Sequence, residues 1–254
     1  MFCVKELQPE IRSAEATFTN QRSSIEKTPS EYGKIHYLNL LLEQPNLKPA
    51  DVKAVLQFSQ KLISSDCERS KTLRKISKSS LSNKDVVTSY LDLTGAISSD
   101  YEKSKVLAHL IANNNMSSDN LAKVVAITSK ISSDYEKGKL LKKIVEHPTY
   151  LKGGYSSTLQ IINNLSSDYE KSKAITNILN KHKLANAQYQ ELFPVVSKIG
   201  SDYEKSKVLR TIAPKIPANA TALREQYLKT AQTIGSDYES KKAIAALEGK
   251  KSSN

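Results

Sequence analysis

The chain has 254 residues, with 8 glycines, 8 prolines, no Trp, and 38 Lys and Arg against 26 Asp and Glu, a formal charge of +12. This composition suits helices joined by short turns rather than a sheet protein, and no apolar run approaches the ~20 residues a membrane-crossing helix needs. Two cysteines, Cys3 and Cys67, are too few for a disulfide framework, and neither stands in a metal-ligand spacing.

Residues 1–29 are the least regular stretch and read as an N-terminal capping helix region. The opening "MFCVKELQPE" lacks the apolar core of a signal peptide. It predicts a cytoplasmic protein, or a periplasmic one if the chain is a piece of something longer.

From residue 30 a period takes over. "PSEYGKIHYL" is a worn first copy, with Glu31 and Tyr32; "SSDCERSK" follows from Ser64 and "SSDYEKSK" from Ser98. Further copies are "SSDYEKGK" from Ser132, "SSDYEKSK" from Ser166, "GSDYEKSK" from Gly200 and "GSDYESKK" from Gly235. The aspartates Asp66, Asp100, Asp134, Asp168, Asp202 and Asp237 are spaced 34, 34, 34, 34 and 35 apart. A fixed period of this size marks stacked repeats. The fold expected is all-α: a right-handed α-solenoid of about six 34-residue helix-pair repeats over residues 30–250, followed by a flexible tail at 251–254.

Within each repeat the motif opens the first helix. Ser99 and Glu102 have the spacing of a capping box, and the same pair recurs in every copy. Asp100 and Glu102 place negative charge at the positive end of the helix dipole. Apolar residues follow at Leu107, Leu110 and Ile111, and a small residue (Ser70, Ser104, Gly138, Ser172, Ser206) leaves room for a neighbouring helix. The second helix ends near Ile63, Ile97, Ile131, Leu165, Ile199 and Ile234. Gly200 and Gly235 fit left-handed C-caps there, and Pro194 should kink its helix or delay its start. The turns inside the repeats vary, as in "EQPNLKPAD" and "APKIPANAT". The motif is therefore a corner piece between two helices.

The tyrosines Tyr101, Tyr135, Tyr169, Tyr203 and Tyr238 form a line, which is expected to seal repeat against repeat. Cys67 takes the same place as a packing substitute. The motif lysines Lys71, Lys105, Lys139, Lys173, Lys207 and Lys242 are expected to pair with the glutamate three residues earlier.

No catalytic constellation emerges. The Asp-x-Glu pairs are all alike, whereas an acid–base pair needs environments that separate two pKa values. The four histidines sit at unrelated places in their repeats, and no phosphate loop or nucleophile motif occurs. The reading is a protein that is not an enzyme, with no cofactor and no metal. The six motifs hold twelve acids and twelve bases, so the excess charge lies outside them. Arg74, Lys75, Lys142, Lys143 and Arg210 are bases without a patterned partner and are the candidate partner- or polyanion-binding residues.

Length and two-helix plan look like the tetratricopeptide and HEAT-like solenoids. The tetratricopeptide Trp or Leu, Gly-Tyr, Ala and Pro positions are absent, and the base-selecting variation of pentatricopeptide repeats is also missing. Residues 64–247 more closely resemble an "SDYEK" helical repeat of bacterial proteins, some of which append it to antibiotic-sensor-type membrane metallopeptidases. That resemblance implies a helical repeat region serving interactions; no metallopeptidase motif accompanies it. The functional expectation is a monomeric scaffold for a protein or peptide partner, without membrane insertion. The alternatives are weak binding of nucleic acid or another polyanion, and a regulatory region of a larger membrane sensor.

Overall fold

The structure, a computed structural model, describes residues 18–44, 47–114 and 116–249. The described residues are α-helical, with short 3-10 turns and no strand. Cys3, Lys250, Lys251 and the expected tail at 251–254 lie outside them. The chain divides into two compact units, residues 1–131 and 132–254.

In the first unit, α1 (Phe18–Lys27) lies on α2 (Glu31–Leu42) and α3 (Pro49–Leu62). Two further pairs follow: α4 (Asp66–Leu73) with α5 (Lys84–Gly95), and α6 (Asp100–Asn113) with α7 (Ser118–Ser129). The first helices α2, α4 and α6 pack in sequence as one row, and the second helices α3, α5 and α7 as another. The second unit repeats the plan. Its first helices are α8 (Asp134–Val145), α11 (Asp168–Lys181), α13 (Asp202–Ile212) and α15 (Asp237–Leu247). Its second row is α10 (Tyr155–Asn163), α12 (Asn186–Ser197) and α14 (Thr221–Ala231), with the single turn α9 (Tyr150–Gly153) before α10. Six helix pairs and a closing half-repeat are the helical-repeat architecture that the period implied.

The core lies between the two rows. Val106, Leu107 and Leu110 of α6 and their counterparts Val208, Leu209 and Ile212 of α13 are fully buried. Each such side chain contributes about 1.5–3 kcal/mol of transfer free energy. Ile63, Ile97, Ile131, Leu165, Ile199 and Ile234 are buried as expected. They follow their helices by one to three residues, and the amides of the last five close 3-10 bonds three residues back, as in Ile97 N–H to Thr94 O at 3.2 Å.

Two local expectations need correction. Gly200 and Gly235 are not left-handed; among the described residues Gly249 alone among glycines has positive φ. Ser98 and Ser166 occupy the same place, so the turn has no need of glycine's freedom. Pro194 does not mark a late start, since α12 begins at Asn186 and runs three residues past it.

Candidate interaction face

Each corner is built from the cap outward. The hydroxyl of Ser65, Ser99, Ser133, Ser167, Ser201 or Ser236 accepts the amide of the glutamate three residues on, at 3.3–3.4 Å. This is the expected half of the capping box. At Ser99, Ser167, Ser201 and Ser236 the return half is replaced, because the capping serine's own amide is bound elsewhere. Asp66 Oδ2 accepts the amides of Ser98 and Ser99, at 2.9 and 2.7 Å. Asp134 accepts those of Ser166 and Ser167, at 2.7 and 2.9 Å. Asp168 takes Ser201, and Asp202 takes Gly235 and Ser236. Each of these aspartates therefore ties its own helix start to the next corner, a charge-assisted bond between repeats. The sequence had suggested the aspartate's dipole role; its grip on the following repeat is the larger finding.

Freed from the cap, the glutamate side chains of α11 and α13 are packed against the preceding first helix. Glu102, Glu136, Glu170 and Glu239 are buried. Ser172 Oγ donates to Glu204 Oε2, and a side chain at Gly138 would meet the Glu170 carboxylate. The small residue does admit its neighbour, as its size suggested. The expected lysine pairing holds in all six motifs, from Lys71–Glu68 at 2.6 Å to Lys105–Glu102 at 3.6 Å. These ion pairs lie within single helices; between repeats, carboxylates at the corners accept from amides and a hydroxyl, and Arg69 and Lys205 donate to the carbonyls of Ala96 and Thr233.

The tyrosines overturn their assignment. Tyr101, Tyr135, Tyr169, Tyr203 and Tyr238 are 54–67% exposed and seal nothing. Cys67, in the same place, is exposed too, so it is no packing substitute. The signal was present in the spacing. Tyr101 precedes the buried Leu110 by nine residues, two and a half helical turns, which puts the ring about 180° from the core. Instead, the motif lysine lies over the ring: Lys105 Nζ is 4.7 Å from the Tyr101 centroid, Lys139 5.3 Å from Tyr135, Lys173 5.3 Å from Tyr169 and Lys242 4.4 Å from Tyr238. Each such contact is worth about 0.5–1 kcal/mol at an exposed site.

The tyrosines that do seal repeats stand in the second helices. Tyr90 and Tyr227 are fully buried and donate to the carbonyls of Val106 and Ala243, at 3.1 and 2.7 Å. Tyr155, also buried, donates to Gln188 O at 2.6 Å. Burial pushes all three phenols well above their ordinary range.

In the second unit, α8, α11, α13 and α15 stand side by side, so Tyr135, Tyr169, Tyr203 and Tyr238 make one row of exposed rings. A groove of about 250 Å³ runs beside them between α8 and α11, lined by Gly138, Lys142, Glu170, Lys173 and Asn177. Of the predicted basic residues, Lys142 thus joins the face and Lys143 is exposed beside it. Lys75 is not unpartnered, because its ammonium pairs with Glu43 at 2.6 Å. Arg74 and Arg210 are half-buried; Arg74 Nε donates to Ser70 O at 3.3 Å, and Arg210 Nε is enclosed without a partner. Among the described residues, Lys142 and Lys143 are thus the two of these five bases that are exposed and outside an ion pair. Among the described residues no group of three or more His, Cys, Asp or Glu is placed to hold a metal ion, and no helix is long and apolar enough to cross a membrane.

No protein-family model matches the chain, and no curated protein matches it. A solved structure from the computational design of self-assembling cyclic protein homooligomers aligns over 97% of each chain, at 12% identity and a TM-score of 0.21. A likeness that loose carries no argument about this protein.

Proposed function

We propose that this protein is a non-enzymatic helical-repeat scaffold that binds an acidic protein or peptide segment across the first-helix face of its second unit. The exposed row of Tyr135, Tyr169, Tyr203 and Tyr238 carries this reading. These rings are held facing water by their place on the helix, and tyrosine is the residue type most enriched, with Trp and Arg, where partners dock. Lys139, Lys142, Lys143 and Lys173 flank the row and match an acidic segment.

A second reading, nucleic-acid binding, draws on the same interleaving of rings and ammonium groups, which suits base stacking. It ranks lower because each motif lysine already faces a glutamate, leaving the row close to neutral.

A displayed library of random peptides separates the readings. Selection on the intact protein should enrich acidic sequences, and the Tyr135→Ala/Tyr169→Ala/Tyr203→Ala variant should lose them while keeping its thermal midpoint. Enrichment without acidic bias, or indifferent to the three rings, defeats the proposal. Single-stranded oligonucleotide that stays bound at about 0.2 M salt, and is released by neutralising Arg74, Lys75, Lys142, Lys143 and Arg210 together, would put nucleic acid first.

A further inference from the structure

The end of the helix pairs away from the corners has a different electrostatic character. At the corners twelve acids answer twelve bases, so the rest of the sequence holds 26 bases against 14 acids. In the second unit a cleft of about 560 Å³ opens between the α11–α12 turn and the α13–α14 turn. Three lysines line it, Lys181, Lys183 and Lys215, all exposed and none in an ion pair among the described residues. No acidic side chain lines it. Buried Leu184 and Tyr189 close its floor, and Pro214 and Pro217 form an apolar wall. His182 is fixed beside it by its Nε2–H, which donates to Val145 O at 2.6 Å.

We propose that this cleft binds a small organic phosphate. Three ammonium groups around one cavity repel each other, and that repulsion is relieved most by one ligand carrying two or more negative charges. Lysine binds phosphate as a point charge and needs no bidentate geometry, whereas a single carboxylate neutralises only one of the three. The apolar floor and wall give the ligand's organic body a surface to cover, and the volume lies within the ordinary range of small-molecule sites. The first unit has a cleft at the same place, between the α4–α5 and α6–α7 turns. It is smaller, about 400 Å³, and is lined by two lysines, Lys78 and Lys84, with mainly serine and asparagine around them. It lacks both the third charge and the aromatic floor, so it binds the same ligand more weakly.

The test is calorimetric titration of the full chain with phenyl phosphate, inorganic phosphate and benzoate at about 50 mM salt. Phenyl phosphate should saturate, with inorganic phosphate weaker for want of the ring and benzoate weaker for want of the second charge. The Lys181→Gln/Lys183→Gln/Lys215→Gln variant should lose about thirtyfold in affinity, the sum of three partly exposed ion pairs. Replacing all three by arginine should restore most of it. A variant that removes equal charge at the corner end of the helices, Lys198→Gln/Lys229→Gln/Lys241→Gln, should stay within about threefold, because exposed charges beyond a Debye length are screened. Equal losses in the two glutamine variants, benzoate as tight as phenyl phosphate, or no saturable heat overturns the site. An oligonucleotide that binds tighter than phenyl phosphate and responds to both variants alike overturns it in favour of a diffuse polyanion surface.

Discussion

Two sets of tyrosines divide the molecule. Those of the repeated motif, Tyr101 to Tyr238, stand in solvent, four of them with a lysine over the ring, while Tyr90 and Tyr227 of the second helices lie in the core with their hydroxyls bound to backbone. The motif is written almost identically each time, yet its rings bury nothing; the second helices vary, yet their rings close the repeats. Repetition here marks the corner and the surface above it. The core tolerates variety because several combinations of apolar side chains fill the same volume.

The strongest way to break that contrast is truncation of one ring from each set. Tyr227→Ala should cost about 3–5 kcal/mol in denaturant unfolding, as large aromatic truncations in a core do. Tyr169→Ala should stay within about 1 kcal/mol, the size of the Lys173 contact it loses. Similar losses for the two would return the motif tyrosines to the core and remove the proposed interaction face.

The corner itself predicts effects of intermediate size. Asp134→Ala strands the amides of Ser166 and Ser167 at the next corner and should cost about 2 kcal/mol, since bonds to a charged acceptor exceed neutral ones. Ser167→Ala removes only the cap within its own helix and should cost about 1 kcal/mol. If the serine variant is the more damaging of the two, capping outweighs the tie between repeats, and the aspartate's principal role is the dipole after all.

Much of this was legible in the chain. The 34-residue spacing gives the helix pairs, and the Ser-x-x-Glu spacing gives the cap. The Glu–Lys pairs follow from positions three apart on one helix, which is local information. What the spacing could not show were contacts one period away: Asp134 reaching Ser166 and Ser167, Ser172 reaching Glu204, Lys75 reaching Glu43. These depend on how far one repeat is displaced from the next. The misplaced tyrosine row is different, because the angle between Tyr101 and Leu110 could be read from sequence. The ring's apolar character was allowed to outweigh its position on the helix.

The smallest expected effect bears on the groove beside the exposed row. Gly138 is the one glycine at the small-residue position, where Ser172 and Ser206 stand in later repeats. Those serines bond to the next repeat, Ser172 to the Glu204 carboxylate and Ser206 to the Glu239 carbonyl at 3.0 Å. Gly138→Ser should therefore stabilise the protein by about 0.5 kcal/mol, the difference in helix propensity, once the flexible end of Glu170 shifts to admit the new side chain. The same substitution fills the floor of the groove between α8 and α11, where Lys142 and Lys173 converge. A more stable protein that binds its acidic peptides several-fold more weakly would place the partner in that groove as well as on the rings. Unchanged affinity would confine it to the tyrosine row, and a loss of stability would mean that Glu170 cannot yield, making its packing tighter than that of Glu204 against Ser172.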